Sequence, residues 1–419
     1  PREAALLLKT AATALLLDAG EAARFGDPAT AAGRAVAAAC ARLGADPVVA
    51  HFEGVLLHAR TRAPGGTALS TPALAAGQPP AVAFLGRHAH RTPLAYTPLR
   101  RMAGARLRVV PDPAAADVIL TGFDLDLKEN AGILGALLAA RPGLKIAVMS
   151  EEPLWDTVWA TGFTDRAGVV EAGGHRIPHA VINHETSGLF AFSRVPYFVL
   201  TADTYPVRYA NLFAATAGIG PQALLDHWRT APVRAAFVAE KRQGAEFARR
   251  WPERDIEGLS AWRSDVAAAM PGEGVLREGA GWEPGAARRQ DLPDWHLDKL
   301  AALDRRTRVA AAFENTHHPA YISEKLFDAF AVLAIPAYYA SPRHRVFEIV
   351  PEAAMINAYG LSPAEAAARI AGFEPDLAFA EAWLEARAAL AARVCDAAAV
   401  LAERRRVVDA ALDAIAALA

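Results

Sequence analysis

From about residue 47, short apolar runs alternate with helical segments. PVVAHF (47–52), AVAFLG (81–86), LRVVP (107–111), DVILTGF (117–123) and KIAVMS (145–150) have the length and aliphatic content of buried strands. AGILGALLAA (131–140) lies between the last two, so that stretch reads as strand, helix, strand. A second series begins near residue 200. RAAFVAE (234–240), RVAAAFEN (308–315) and IPAYYA (335–340) predict strands. AEFARRW (245–251), SAWRSDVAAAM (260–270) and SEKLFDAFAVLA (323–334) predict helices, and the Gly/Pro/Arg-rich stretch 271–295 predicts a long loop. Residues 1–45 read as Ala-rich helices broken at Gly26-Asp27-Pro28, and 363–419 as almost wholly helical. The alternation predicts parallel sheets covered by helices.

The expected architecture is α/β: two Rossmann-like domains facing a cleft, with N-terminal and C-terminal helical extensions. The divisions expected are 1–45, a helical extension; 46–200 and 201–362, the two Rossmann-like domains; and 363–419, helices bracing both. Ligands in open α/β sheets sit beyond the carboxyl ends of the strands, so the loops there are where chemistry is sought.

Composition narrows the partners. With 419 residues and 53% hydrophobic content, two domains with large cores are affordable. A net charge of −2 gives no general attraction to nucleic acid or membrane, so an anionic ligand must meet a local cluster of cations. Two cysteines, Cys40 and Cys395, exclude a disulfide framework and a four-cysteine metal site, and fit a reducing cytoplasm. The apolar N-terminal run is interrupted by Lys9 and Thr10 and lacks a cleavage site, so it is expected to pack as a helix, with peripheral contact at an inner membrane face left open. Oligomeric state is open too.

The segment FENTHHPAYISEK (313–325) concentrates the chemistry. A strand ends near Asn315, a polar loop follows, and Ser323 can cap a helix starting at Glu324. Leu326, Phe330 and Leu333 then mark its buried face. A helix N-terminus presents free N–H groups and a positive dipole end to phosphate, and Lys325 adds a full charge there. Glu324 can accept from ribose or sugar hydroxyls, and Tyr321 can stack or donate. The alternative is ordinary surface chemistry in a first helical turn.

FENTHHPAYISEKLFDAFAVLAIPAYYASP resembles, without a gap over about thirty residues, the signature of the α-1,3-fucosyltransferases, glycosyltransferase family ten. The resemblance implies a GT-B-like fold in which 46–200 binds the acceptor and 201–362 the GDP-sugar, and inverting transfer of L-fucose from GDP-β-L-fucose to a glycan hydroxyl, with Asn315, Tyr321, Glu324 and Lys325 as donor contacts. Ser341 falls where the family has a small polar residue, although Ala340 replaces the family's glycine. It also implies an arginine after a Phe-Val-x strand. Phe237-Val238-Ala239 matches that strand; among Lys241, Arg242, Arg249 and Arg250, Arg242 is favoured over Arg249, each competing with a solvated reading. In VINHETSGLFAFSRVPYF (181–198), Arg194-Val195-Pro196 matches the family's anchor and puts Glu185 in the place of the general base. His184, Glu151 and His317 are candidates for the acceptor side or the cleft, and Glu152 follows Glu151 after a strand.

No metal is expected to be needed, since Lys325 and an arginine can neutralise the leaving group. Asp124 and Asp126 form a D-x-D that reads as a turn and helix cap, the alternative being a metal-dependent transferase. His317-His318 lacks a third ligand. Glu403-Arg404-Arg405-Arg406 reads as a solvated helix face. Two further readings stay open: a related transferase with another nucleotide sugar, and a catalytically inactive glycan- or nucleotide-binding module. The Ala/Arg-rich composition suggests a bacterial source, hence a surface polysaccharide, a protein or a lipid-linked glycan as acceptor.

Overall fold

The computed structural model describes residues 3–5, 7–8, 11–12, 21–44, 48–49, 52–53, 56, 79–284, 288 and 291–418. The chain divides into two units. One comprises residues 1–150, 164–182 and 409–419, and the other 151–163 and 183–408.

The first unit is built on six strands: β1 (Ala81–Phe84), β2 (Arg108–Val109), β3 (Val118–Thr121), β4 (Lys145–Met149), β5 (Ala167–Ala172) and β6 (His175–Ile182). Their order is β2-β1-β3-β4-β6-β5, parallel except for the antiparallel β5–β6 pair. β3 is buried at every position, as a central parallel strand covered on both faces must be. The helix Ala131–Ala140 fills the β3-to-β4 crossover and puts Leu134 into a core with Ile119, Leu127, Ile146 and Val148.

In the second unit, β7 (Val233–Val238), β8 (Arg250–Trp251), β9 (Ile256–Gly258), β10 (Val275–Glu278), β11 (Thr307–Ala311), β12 (Thr316–His317), β13 (Ile335–Tyr338) and β14 (Ile356–Asn357) form two sheets. The larger, β10-β7-β11-β13-β14, is wholly parallel. The smaller, β12-β9-β8, is antiparallel and joins the segment after β11 to residues 250–258. Among the described residues, no helix is long and apolar enough to cross a membrane.

Four expectations change. Within PVVAHF, the described Val48, Val49 and Phe52 are helical and pack against Leu8, Val36 and Ala39, so burial against neighbouring helices overrides the β preference of valine; the rest of that run lies outside the described residues. The 271–295 stretch contains β10, entered through Gly272 and Gly274 at φ 80° and 75°; its residues 285–287 and 289–290 lie outside the described residues. AEFARRW is not a helix but a 3₁₀ turn over Ala245–Ala248 followed by β8, with Pro252 closing off any helix. The tail cluster is solvated only in part, for Glu403 and Arg404 are 4% and 7% exposed while Arg405 is open to solvent.

Asp126 caps its helix as expected: its carboxylate accepts N–H bonds from His88, Gly122 and Phe123. Gly86 lies at φ 103°, and a Cβ there would meet Asp126 Cγ at 2.4 Å. Gly86→Ala is therefore expected to cost about 2 kcal/mol or more, read as a fall in the denaturant midpoint at unchanged slope.

Candidate functional site

Phe313–Lys325 runs from the carboxyl end of β11, through β12, to the helix Glu324–Ala331. Ser323 is the N-cap of that helix. Glu314, at the strand end, accepts from Ser323 N–H and from Ser323 Oγ, both at 2.7 Å. Lys325 Nζ donates to Ser323 Oγ at 2.9 Å, and lies 3.2 Å from Glu324 Oε1 and 3.3 Å from Glu314 Oε2. One carboxylate thus fixes the cap and balances the cation. Burial alone would lower the Lys325 pKa, but Glu314 and Glu324 outweigh it and hold the ammonium above its ordinary value. Burial also raises the Glu314 pKa against the pull of Lys325. Glu324 feels the same burial, but Lys325 and Lys299 bring it below the usual carboxylate range.

A second cation stands in this field. Arg263, on the helix Ser260–Ala269, is 8% exposed; it donates from Nη1 to the Phe313 carbonyl at 3.3 Å, while its buried Nε has no partner. Burial, with Arg242 beside it, lowers its pKa to about 10, which leaves it charged at neutral pH. Arg263 lines a small cavity with Phe237, Glu240, Ser264, Trp282 and Phe313, at the carboxyl ends of β7 and β11. An unpaired guanidinium N–H at this place suits an anionic oxygen.

The arginines favoured from sequence are engaged otherwise. Arg242 pairs with Glu240 at 2.8 Å and lies over Trp155, 4.7 Å from the ring centroid. Arg249 donates to the Thr157 carbonyl at 2.8 Å. Ser341 donates to Asp255 Oδ2 at 2.5 Å. Asn315 Nδ2 lies 3.3 Å from Glu152 Oε2, and its own buried Oδ1 lacks a partner. Tyr321 is buried, edge-on to His184 and Phe198.

Glu151, Glu152, His184 and Glu185 fall in the second unit with the Lys325 motif, because the chain leaves the first sheet where β4 and β6 end. Glu185 is held on both oxygens: His318 Nε2 lies 3.0 Å from Oε1, and Arg254 donates to Oε2 at 2.7 Å. His318 Nδ1 accepts from Ala320 N–H, so Nε2 carries the hydrogen given to Glu185. The His318 bond, with help from Arg254, outweighs burial and keeps Glu185 below the usual carboxylate range. His184 bonds the Glu151 carbonyl at 3.0 Å and stacks on Phe190; burial and neighbouring His318 hold it neutral. His317 turns the other way, with Nε2 3.2 Å from Asp255 Oδ1 but off the hydrogen-bond axis. Glu151 accepts from Tyr197 OH at 2.9 Å. Among the described residues, no group of three or more His, Cys, Asp or Glu is disposed to hold a metal ion.

The helix bearing Lys325 is locked one turn further on. Asp328, 1% exposed, accepts from Tyr209 OH at 2.7 Å and from His296 Nε2 and Lys299 Nζ, both at 2.8 Å.

Residues 289–398 match the model described as glycosyltransferase family 10 (fucosyltransferase) C-term. That segment contains β11, β12, β13 and the Lys325 helix, and through it the chain resembles the fucosyltransferases. No curated protein matches the sequence. Among solved structures, an alpha1,3-fucosyltransferase with GDP-fucose is 14% identical, over 75% of this chain and 84% of that one, at TM-score 0.35. An alpha1,3-fucosyltransferase with GDP is 15% identical, over 76% and 85%, at TM-score 0.34.

Sequence reasoning missed Glu314 and Arg263. The first was legible as the acidic residue of Phe-Glu-Asn; the second stands in the helix after β9 with no local signal of its burial.

The Asp328 network yields an acid-stability test. Burial raises the Asp328 pKa, but Lys299 and His296 outweigh it and depress it below the ordinary range. Its stabilisation is thus present above the unfolded-state pKa of about 4 and is lost as pH falls below it. Asp328→Asn is expected to cost about 3–5 kcal/mol at pH 7, leaving Lys299 buried without its carboxylate. Denaturant titrations at pH 7 and pH 3 should show the gap to wild type shrinking at the lower pH.

Proposed function

We propose that this protein is an inverting transferase moving L-fucose from GDP-β-L-fucose to a glycan hydroxyl. One observation carries the reading: Lys325, at the capped N-terminus of a helix, and Arg263 beside it form a cation pair at the carboxyl end of a parallel sheet, inside and next to the segment that matches glycosyltransferase family 10. The diphosphate takes the place at Lys325 now held by Glu314 and Glu324. As the bond from the anomeric carbon to the diphosphate oxygen breaks, negative charge grows on GDP, and the two cations stabilise it. They serve the role a metal serves elsewhere, so turnover in chelator is expected to be undiminished. Arg263 replaces Arg242 and Arg249 as the second cation, because its Nε is buried and unpaired, whereas Arg242 Nη2 donates to Glu240 and Arg249 Nη1 donates to the Thr157 carbonyl.

On the other side of the sugar, Glu185 takes the proton of the attacking hydroxyl. The His318 and Arg254 bonds keep it ionised, and one must give way when the acceptor arrives. A second reading, in which the base is Glu151 or Glu152 at the end of β4, is favoured by the contact of Glu152 with Asn315, whose buried Oδ1 is unpaired at the same strand end.

GDP release from GDP-fucose, followed with a panel of glycan acceptors, tests both. Lys325→Ala and Arg263→Ala are each expected to lower the rate about 100-fold or more. Glu185→Gln is expected to lower it about 100-fold at unchanged GDP affinity. Glu185→Gln at full rate, with Glu151→Gln or Glu152→Gln inactive, moves the base to that pair. A chain that responds to UDP or CMP and not to GDP in thermal unfolding contradicts the donor assignment.

A further inference from the structure

The helix Ala397–Ala416 begins at the edge of the family-matched segment, and its buried charges act on a distant loop. Glu403 accepts from Ser193 N–H at 3.1 Å and from Arg194 N–H at 2.9 Å, with Val195 N–H at 3.5 Å. Successive backbone N–H groups converging on one carboxylate make an anion nest filled from within the chain. Arg406 pairs with Glu403 and donates to the Gly188, Leu189 and Ala191 carbonyls. Arg404 donates to the Leu200 carbonyl at 2.9 Å. Residues 188–200 are therefore held through their backbone by one turn of helix, more than 200 positions later.

Side chains of that loop meet the candidate site. Phe190 stacks on His184, with centroids 4.8 Å apart and planes 18° apart. Tyr197 donates to Glu151, and its ring stands edge-on to Phe190. Phe198 stands edge-on to Tyr321 at 5.5 Å. His184 in turn stands edge-on to His318, the partner of Glu185.

We propose that Glu403 is a positioning residue for the candidate site: its carboxylate fixes the 188–200 backbone, and that backbone sets the rings that orient His184, Glu151 and Tyr321. The proposal rests on the transferase reading for its effect on turnover, while its geometric content stands without it. Burial alone would raise the Glu403 pKa; Arg406 and the loop N–H groups outweigh this and keep the group ionised. A carboxylate offers both oxygens to the nest, whereas an amide offers one and turns N–H donors toward N–H donors.

The test compares the full chain with Glu403→Gln, and with Arg405→Gln as a control at an exposed position of the same helix. Three readouts are taken: GDP affinity by calorimetry, GDP release from GDP-fucose, and the His184 imidazole signal by NMR, assigned with His184→Gln. Glu403→Gln is expected to slow release about tenfold or more, keep the GDP Kd within about twofold, and shift the His184 signal; Arg405→Gln changes none of them. If Glu403→Gln does not fold, Arg406→Met, which keeps the carboxylate and drops the carbonyl contacts, is expected to act in the same direction. A folded variant with an unmoved His184 signal and an unchanged rate overturns the proposal. So does a loss of rate in proportion to GDP affinity with His184 unmoved, which marks a structural role only. A wild type that releases no GDP while Glu403→Gln still shifts His184 contradicts the transferase reading and leaves the positioning role supported.

Discussion

An ammonium group taken out of water costs several kcal/mol unless carboxylates surround it, and Lys325 has two within 3.3 Å. That constraint organises the candidate site. Glu314 must stand at the end of its strand to reach Lys325, and by binding Ser323 through both its N–H and its hydroxyl it also fixes where the helix starts. The helix cannot slide, because Asp328 one turn later is bonded to residues of two other helices. Lys325 is thus held at the helix N-terminus by two internal anions, whose place the diphosphate takes in the proposed function.

Charge compensation recurs at each supporting element. Arg263 has the field of Glu314 and Glu152 but keeps one buried N–H unpaired. Glu185 is tied to His318 and Arg254, and Glu403 to a row of backbone N–H groups. Most of these charges are buried or half-buried, where the local dielectric makes their geometry matter more than their number. The unpaired atoms of Arg263 and Asn315 lie near the same strand end.

Much of the parallel framework was legible because it rests on local pattern. DVILTGF, KIAVMS, RAAFVAE, RVAAAFEN and IPAYYA each contain a strand of the structure, since continuous apolar runs of that length have few alternatives. The β5–β6 hairpin was overlooked although Gly173-Gly174, both at positive φ, is the turn signal for it. The β8-β9-β12 sheet could not be read: two of its strands are two residues long and carry arginine, tryptophan and histidine in place of an apolar alternation. At the site, the helix cap at Ser323 and the charge at Lys325 were legible because they are neighbours in sequence. The importance of Arg263, Arg254 and Glu403 was not, because each acts on a partner 50 or more positions away.

A structure of this protein with GDP-fucose tests the central claim most directly. A diphosphate oxygen is expected within about 3 Å of Lys325 Nζ and another accepting from Arg263 Nε, with the contact between Glu314 and Lys325 lengthened. A diphosphate bound away from the Glu324–Ala331 helix N-terminus, with the Lys325, Glu314 and Ser323 contacts intact, would contradict it.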